Sequence, residues 1–302
     1  MSTTLLKRRI WKDKSAHALM AILTISSLFL LIVMGVGLYL KSENILHEHS
    51  LWTLLTTTEW KPLKNVFGFL PFIMGTLWVT VLSILIALPI SLLTAIFITE
   101  NARPWVKHFV FPALDILAGI PSVVYGVWGT LIIVPWIADK VGPHFVDYTS
   151  GYTALAGGIV LGVMIIPVLV SLFVEIFSAV PQDFRDAATS LGATKWQTSR
   201  MIILRKALPG IVAAVVLAIS KAFGETIAVL MVCGNMIQNP TSLFDSCYPL
   251  PALIANNYGE MLSVPLYESA LMFAAFILFF IILIFNASSR ILLQQIEKRF
   301  KL

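Results

Sequence analysis

The sequence predicts an all-α, polytopic membrane protein with six transmembrane helices. Three observations carry that prediction. Of 302 residues, 58% are hydrophobic and only 12% are charged, a balance foreign to soluble domains. The apolar residues fall in long blocks, and a helix needs about 20 such residues to cross a bilayer. The lysines and arginines collect in alternate loops between the blocks. The net charge of +5 is modest, and its distribution points to no nucleic acid.

The first block, Ala18–Leu40, is too long for a signal-peptide core and lacks a small-residue cleavage site after it, so it reads as a true span. Phe67–Thr99 and Phe109–Ala138 follow, both longer than one crossing needs. Tilt, or an interfacial lead-in around Pro71 and Pro112, absorbs the excess. Thr153–Val180, Gly210–Cys233 and Ser269–Ser288 complete the set. Asp115 and Glu175 lie near span ends, where they snorkel to the interface and read as structural.

Orientation follows from the basic residues. Lys7, Arg8, Arg9, Lys12 and Lys14 precede the first span. Arg103 and Lys107, then Arg185, Lys195, Arg200, Arg205 and Lys206, then Arg290, Lys298, Arg299 and Lys301 fall on the same side. Only Lys41, Lys61, Lys64 and Lys140 fall on the other side, and Lys221 lies within a span. The positive-inside rule therefore makes both termini and the loop 181–209 cytoplasmic. The outer loops are Lys41–Val66, Asp139–Tyr152 and Gly234–Glu268, the last carrying Asp245, Glu260 and Glu268. They are either connectors or the surface for an extracytoplasmic partner. Cys233 and Cys247 lie at or beyond the outer end of the fifth span, as a disulfide or as two thiols.

The cytoplasmic loop reads as helix, sharp turn, helix. Pro181 suits a first helical turn, and Asp183 and Asp186 place negative charge at its positive end. Ala187, Ala188 and Leu191 continue the helix, and Gly192 permits the left-handed stop. Thr194-Lys195-Trp196-Gln197 is a capping box that starts the second helix. Pro209-Gly210 closes it. On physical grounds alone, an amphipathic helix lying on the membrane with Trp196, Ile203 and Ala207 toward lipid competes with a docking knob whose small residues Ala187, Ala188 and Gly192 admit close approach.

Lys221 and Glu225 sit mid-span, where a charge costs about 2.5–3.5 kcal/mol on insertion scales. Four residues apart on a continuous helix, they share a face and pair. Such a pair either lines a polar path or fixes helix packing. In the third span, Gly119, Ser122, Gly126 and Gly129 are spaced along one helix face, a pattern for close helix packing. Pro121 is expected to kink that helix, leaving the hydroxyls of Ser122 and Tyr125 for a polar path.

Asp186-Ala187-Ala188, three residues, Gly192, nine residues, Ile202, one residue and Leu204 resembles the "EAA" loop of binding-protein-dependent ABC importer permeases. Asp186 stands for the usual Glu and Arg205 for the usual Pro. Lys221-Ala222-Phe223-Gly224-Glu225-Thr226, with Lys221 in place of a typical Arg, and Ile120–Gly129 are similar to strings in the C-type permeases of phosphate-specific importers. The second string separates them from sulfate and molybdate permeases. Lysine lacks the planar fork that grips an oxyanion bidentately, which leaves a point-charge role.

The resemblance implies a type I ABC importer permease fold, in a bacterial inner membrane. Residues 1–66 would be the N-terminal tail, first transmembrane helix and first periplasmic loop. Residues 67–302 would be the permease core of five transmembrane helices. It further implies a non-catalytic subunit that translocates phosphate, forms a heterodimer with a homologous permease, and meets a periplasmic phosphate-binding protein. Loop 181–209, with Asp186, Ala187, Ala188, Gly192, Ile202 and Leu204, would dock on a dimer of ATP-binding subunits. Lys221, Glu225, Thr226, Ser122 and Tyr125 would line the pathway, and Gly119, Pro121, Gly126 and Gly129 would serve helix packing.

No Walker-type glycine loop is present, so ATP would be bound by the partner and no cofactor by this chain. His17, His47, His49, His108 and His144 form no metal-ligand cluster. Two other readings stand beside this one. One is a permease for sulfate or molybdate. The other is a membrane-embedded enzyme with Lys221 and Glu225 as acid and base, for which no nucleophile or metal site is evident.

Overall fold

The fold comes from a computed structural model that describes residues 3–259 and 264–300. Glu260 of the last outer loop and Lys301 of the basic tail lie outside these residues. Six helical spans are long and apolar enough to cross a membrane: Trp11–Lys41, Leu70–Asn101, Ser122–His144, Ala154–Ser178, Lys195–Gly224 and Pro265–Gln295. A helix satisfies most of its backbone polar groups internally, as a bilayer requires.

Helix α1 (Thr3–Lys41) leads into α2 (Glu43–Glu48) and α3 (Leu51–Thr56). A short hairpin follows, β1 (Trp60–Lys61) against β2 (Val66–Phe67), with Trp60 opposite Phe67. Next come α4 (Leu70–Ile96), α5 (Pro104–Gly119), α6 (Ser122–Trp128), α7 (Val134–Trp136) and α8 (Ala154–Ser178). The segment after the fourth span contributes α9 (Gln182–Ser190) and α10 (Lys195–Thr198). The chain ends with α11 (Leu204–Gly224), α12 (Ile227–Val232), α13 (Leu250–Asn257) and α14 (Pro265–Phe300).

Two cores hold these elements. The larger centres on α4 and α8, where Leu161, Ile165, Leu169 and Phe173 are buried. Lipid is as apolar as leucine, so close packing rather than the hydrophobic effect joins membrane helices. Gly158 supplies that closeness: a Cβ there would stand 2.5 Å from Cβ of Leu82 on α4. The smaller core lies at the outer end. Trp60 meets Phe67, Phe69, Phe72 and Tyr267 edge to face, with ring centroids 5.3, 5.2, 5.0 and 5.9 Å away. The first outer loop is therefore packed against α4 and α14.

Three expectations from sequence are corrected. The block Phe109–Ala138 is not one helix: α5 stops at Gly119, Ile120 and Pro121 are extended, and α6 starts at Ser122. Proline disfavours helical backbone in the residue before it, and here it caps a new helix rather than kinking an old one. The fifth span does not run from Gly210 to Cys233. It begins at Lys195, passes a π-helical turn at Ser199–Ile203 and stops at Gly224. Pro209-Gly210 does not close the second cytoplasmic helix, because Pro209 lies inside α11. Where water cannot replace lost backbone bonds, one missing N–H is tolerated and the helix persists.

Candidate functional site

The knob formed by α9 and α10 is built largely from local chemistry. Gly192 has φ +80 and ends α9 as a left-handed stop. The Thr194 hydroxyl accepts from the Gln197 N–H at 3.3 Å, and the Gln197 side chain accepts from the Thr194 N–H at 2.9 Å. This reciprocal box starts the helix that becomes the fifth span.

What positions the knob is a contact between distant parts of the chain. The Arg185 guanidinium on α9 donates to both carboxylate oxygens of Glu100 from Nε at 3.2 Å, and from Nη2 at 2.9 Å. It also donates to the carbonyls of Val180 at 2.7 Å and Phe177 at 2.9 Å. Glu100 sits in the π-helical turn that ends the second span, and Phe177 lies at the end of α8. One side chain thus ties α9 to the C-terminal ends of both central helices. The two side chains are only 13% and 12% exposed, so the pair is largely shielded from solvent screening. Lys206 of α11 adds a cation–π contact, 5.0 Å from the Phe184 ring centroid. A polar cleft of about 470 Å³ opens beside the clamp, lined by Glu100, Lys107, Asp186 and Lys195 among others.

The remaining knob residues divide into an outer and an inner set. Asp186 is exposed and accepts from Gln182 Nε2 at 3.1 Å. Ala187 is exposed, Ala188 is buried, and Ile202 and Leu204 are half-buried around a buried Ile203. Leu191 is 90% exposed at the tip, with Trp196 at 55% and Phe184 at 39%. Sequence reading took Leu191 only as a continuation of the helix. Its place directly before a glycine stop was the available signal that it stands at the tip. Ile203 and Ala207 are 1% and 4% exposed, so two of the three residues assigned to a lipid-lying face are turned into the protein.

The second cluster lies where two spans break. A Cβ built on Gly126 of α6 would stand 2.6 Å from Met231 Sδ and 3.2 Å from Ala228 Cα of α12. One on Gly129 would stand 2.9 Å from Val232 Cγ1 and 2.6 Å from Val160 Cγ2. Successive contacts advance along both helices, so α6 and α12 run parallel, with their breaks side by side. The Thr130 hydroxyl shares its single proton between the Gly126 carbonyl at 3.0 Å and the Met231 carbonyl, across the pair, at 3.2 Å. Gly119, across the break, meets nothing within 4 Å and is not part of this contact. The expected single face of four small residues is therefore reduced to its Gly126–Gly129 half.

This arrangement brings Ser122 and Tyr125 to the same level as Glu225 and Thr226. Tyr125 is buried, and its hydroxyl donates to the Leu117 carbonyl at 2.8 Å, across the α5–α6 break. The Thr226 hydroxyl donates to the Gly224 carbonyl at 3.2 Å. Glu225 is half-buried with extended backbone, and its Oε1 accepts from the Ala228 N–H at 3.3 Å, capping α12. Lys221 is exposed in the last turn of α11, where its charge suits the helix's negative end. Because the helix ends between them, Lys221 and Glu225 do not share a helical face, and no ion pair joins them among the described residues.

Comparison with known proteins places the chain as a whole. The family described as "Binding-protein-dependent transport system inner membrane component" matches residues 87–302. The phosphate transport system permease protein PstC of Xylella fastidiosa is 34% identical over 257 residues, covering 80% of this chain and 79% of that protein. A probable ABC transporter permease protein, YqgH of Bacillus subtilis, is 40% identical over 243 residues, covering 78% and 77%. Among solved structures, a bacterial alginate ABC transporter in complex with an alginate pentasaccharide-bound periplasmic protein aligns with a TM-score of 0.64. It covers 93% of this chain and 96% of its own at 15% identity, a likeness of fold alone.

Proposed function

This chain belongs to the family of binding-protein-dependent transport system inner membrane components, and we propose that it is the phosphate-translocating permease subunit of an ATP-driven importer. It is a multi-pass inner-membrane transport component. Both termini and the α9 knob are cytoplasmic, in keeping with the excess of lysine and arginine on that side. The chain pairs with a second, homologous permease and docks on a dimer of ATP-binding subunits, which bind and hydrolyse the ATP. A periplasmic phosphate-binding protein delivers the ion. Similarity to a phosphate permease over most of both chains supports the choice of phosphate.

The observation that carries the coupling half of this reading is the clamp of Arg185 on Glu100. The knob presents Phe184 of α9, Leu191 just after it and Trp196 of α10 outward, while Arg185 ties the inner side of α9 to α4 and α8. A push on the exposed face therefore reaches the two central helices through a stiff, bidentate contact. The broken ends of α5–α6 and α11–α12 then give the core two places to bend without breaking further backbone bonds. Lys221 offers a point charge to the passing anion, and Glu225 stays on α12 as its cap.

Uptake of labelled phosphate by vesicles carrying the full complex tests the substrate. The expected result is ATP-dependent accumulation that excess sulfate or molybdate leaves unchanged. Accumulation of sulfate or molybdate instead of phosphate would overturn it.

A further inference from the structure

The segment between α12 and α13 folds over the start of α8. The Ala154 and Leu155 N–H groups, left without helical partners, donate to the carbonyls of Asp245 and Leu243 at 2.9 and 3.0 Å. Ser246 Oγ donates to the Tyr152 carbonyl at 2.5 Å. Within this segment the Cys247 N–H donates to the Cys233 carbonyl at 3.0 Å, and Gly234 bridges to Cys247. The backbones of the two cysteines are thus held at hydrogen-bonding distance.

Both side chains are fully buried, as free thiols. Glycines on the two central helices make the space they occupy. A Cβ on Gly157 of α8 would collide with Cys233 Sγ, and one on Gly75 of α4 would stand 3.3 Å from Cys247 Cβ. The chain's only two cysteines therefore meet in one small, shaped site.

We propose that Cys233 and Cys247 form an intramolecular disulfide that fastens the outer segment to the end of α12. The inference rests on the proposed orientation, which puts this site on the oxidising, extracytoplasmic side. The oxidant is a protein disulfide of that compartment. One thiolate of the pair attacks a sulfur of the incoming disulfide, forming a mixed disulfide and releasing one thiol of the oxidant. The second cysteine's thiolate then attacks the first cysteine's sulfur and expels the other. Two electrons pass to the oxidant, which leaves as a dithiol carrying the two protons. Burial of both sulfurs places this exchange before the segment closes over α8. The closed cross-link then protects itself from reduction and limits how far the outer segment can open.

The test traps thiols of the full complex with N-ethylmaleimide at lysis, denatures the protein, and adds a polyethylene-glycol maleimide with or without prior reduction. The expected result is no mass shift when trap and reduction are both omitted, and two adducts when the trapped protein is reduced before labelling. Two adducts without any reduction would overturn the proposal. A Ser150→Cys reporter in a Cys233→Ser/Cys247→Ser chain separates the two possible failures. Labelling of the reporter by an impermeant maleimide on intact cells, with free thiols in the native pair, sinks the disulfide alone. A reporter reached only from the cytoplasmic side sinks the orientation.

Discussion

Arg185 and Glu100 are 85 residues apart in sequence, and their side chains meet at 2.9 Å at the C-terminal ends of the central helices. Breaking a buried pair costs about 3–5 kcal/mol, because a shielded charge is left without a partner. Arg185→Ala also frees the carbonyls of Val180 and Phe177. We expect it to abolish ATP-driven uptake, whereas Glu100→Gln, which keeps an acceptor, reduces uptake only partly. Arg185→Lys should resemble Arg185→Ala, since one ammonium with three N–H groups cannot make all five of these contacts. Parallel assays of ATP hydrolysis and uptake check this, with hydrolysis continuing uncoupled from transport.

The separation of Lys221 from Glu225 gives a second expectation. Lys221→Gln lowers phosphate uptake by about tenfold, the equivalent of 1.4 kcal/mol, with the complex still assembled. Glu225→Ala removes the α12 cap and costs about 1 kcal/mol of stability. Residues that share no partner behave additively. A double-mutant cycle on uptake should therefore show no coupling, whereas an ion pair would show a clear one.

Packing of α6 on α12 separates two glycines of one sequence string. Gly126→Leu forces a side chain onto Met231 and Ala228, and overpacking of this kind costs about 1–3 kcal/mol. Gly119→Leu points into open space and should leave thermal unfolding in detergent unchanged. Equal destabilisation by both would contradict the break at Pro121.

Asp245 makes the outer segment sensitive to acid. Burial pushes its carboxyl up, but the Thr241 N–H at 2.8 Å, the Ser242 N–H at 2.8 Å and the Thr241 hydroxyl at 2.9 Å outweigh it and hold the pKa below the usual 3.8. A lowered folded-state pKa stabilises fully above the unfolded value and loses that contribution as pH falls through the folded one. Asp245→Asn should therefore be less stable than the native chain at pH 6. The difference should shrink as pH drops below 3.8, as read from thermal unfolding across that range.

Much of the knob was legible because its signals are local. Gly192 marks a left-handed stop and Thr194–Gln197 a capping box, each decided by a few neighbouring residues. The six spans were legible by length and hydropathy, since a bilayer imposes both. Glu100 was not legible as Arg185's partner, because no local pattern announces a contact across two spans. Glu225 looked helical because nothing before it but Gly224 signals a stop. Its release from the helix is visible only with α6 packed alongside α12. Pro209 misled for the opposite reason: a strong stop signal in water is overridden inside a membrane helix.

The central claim is that α9 couples an ATPase to the membrane path. Gly192 has open space around it, so a substitution there acts through its left-handed backbone and the surface it presents. Asparagine tolerates that backbone, while tryptophan both strains it and covers the tip. The decisive measurement is ATP-driven phosphate uptake by the full complex carrying Gly192→Trp, with Gly192→Asn as the control and co-purification of the ATPase recorded for each. The account predicts near-native uptake for Gly192→Asn, and loss of both uptake and ATPase association for Gly192→Trp. Normal association and transport in Gly192→Trp would contradict it.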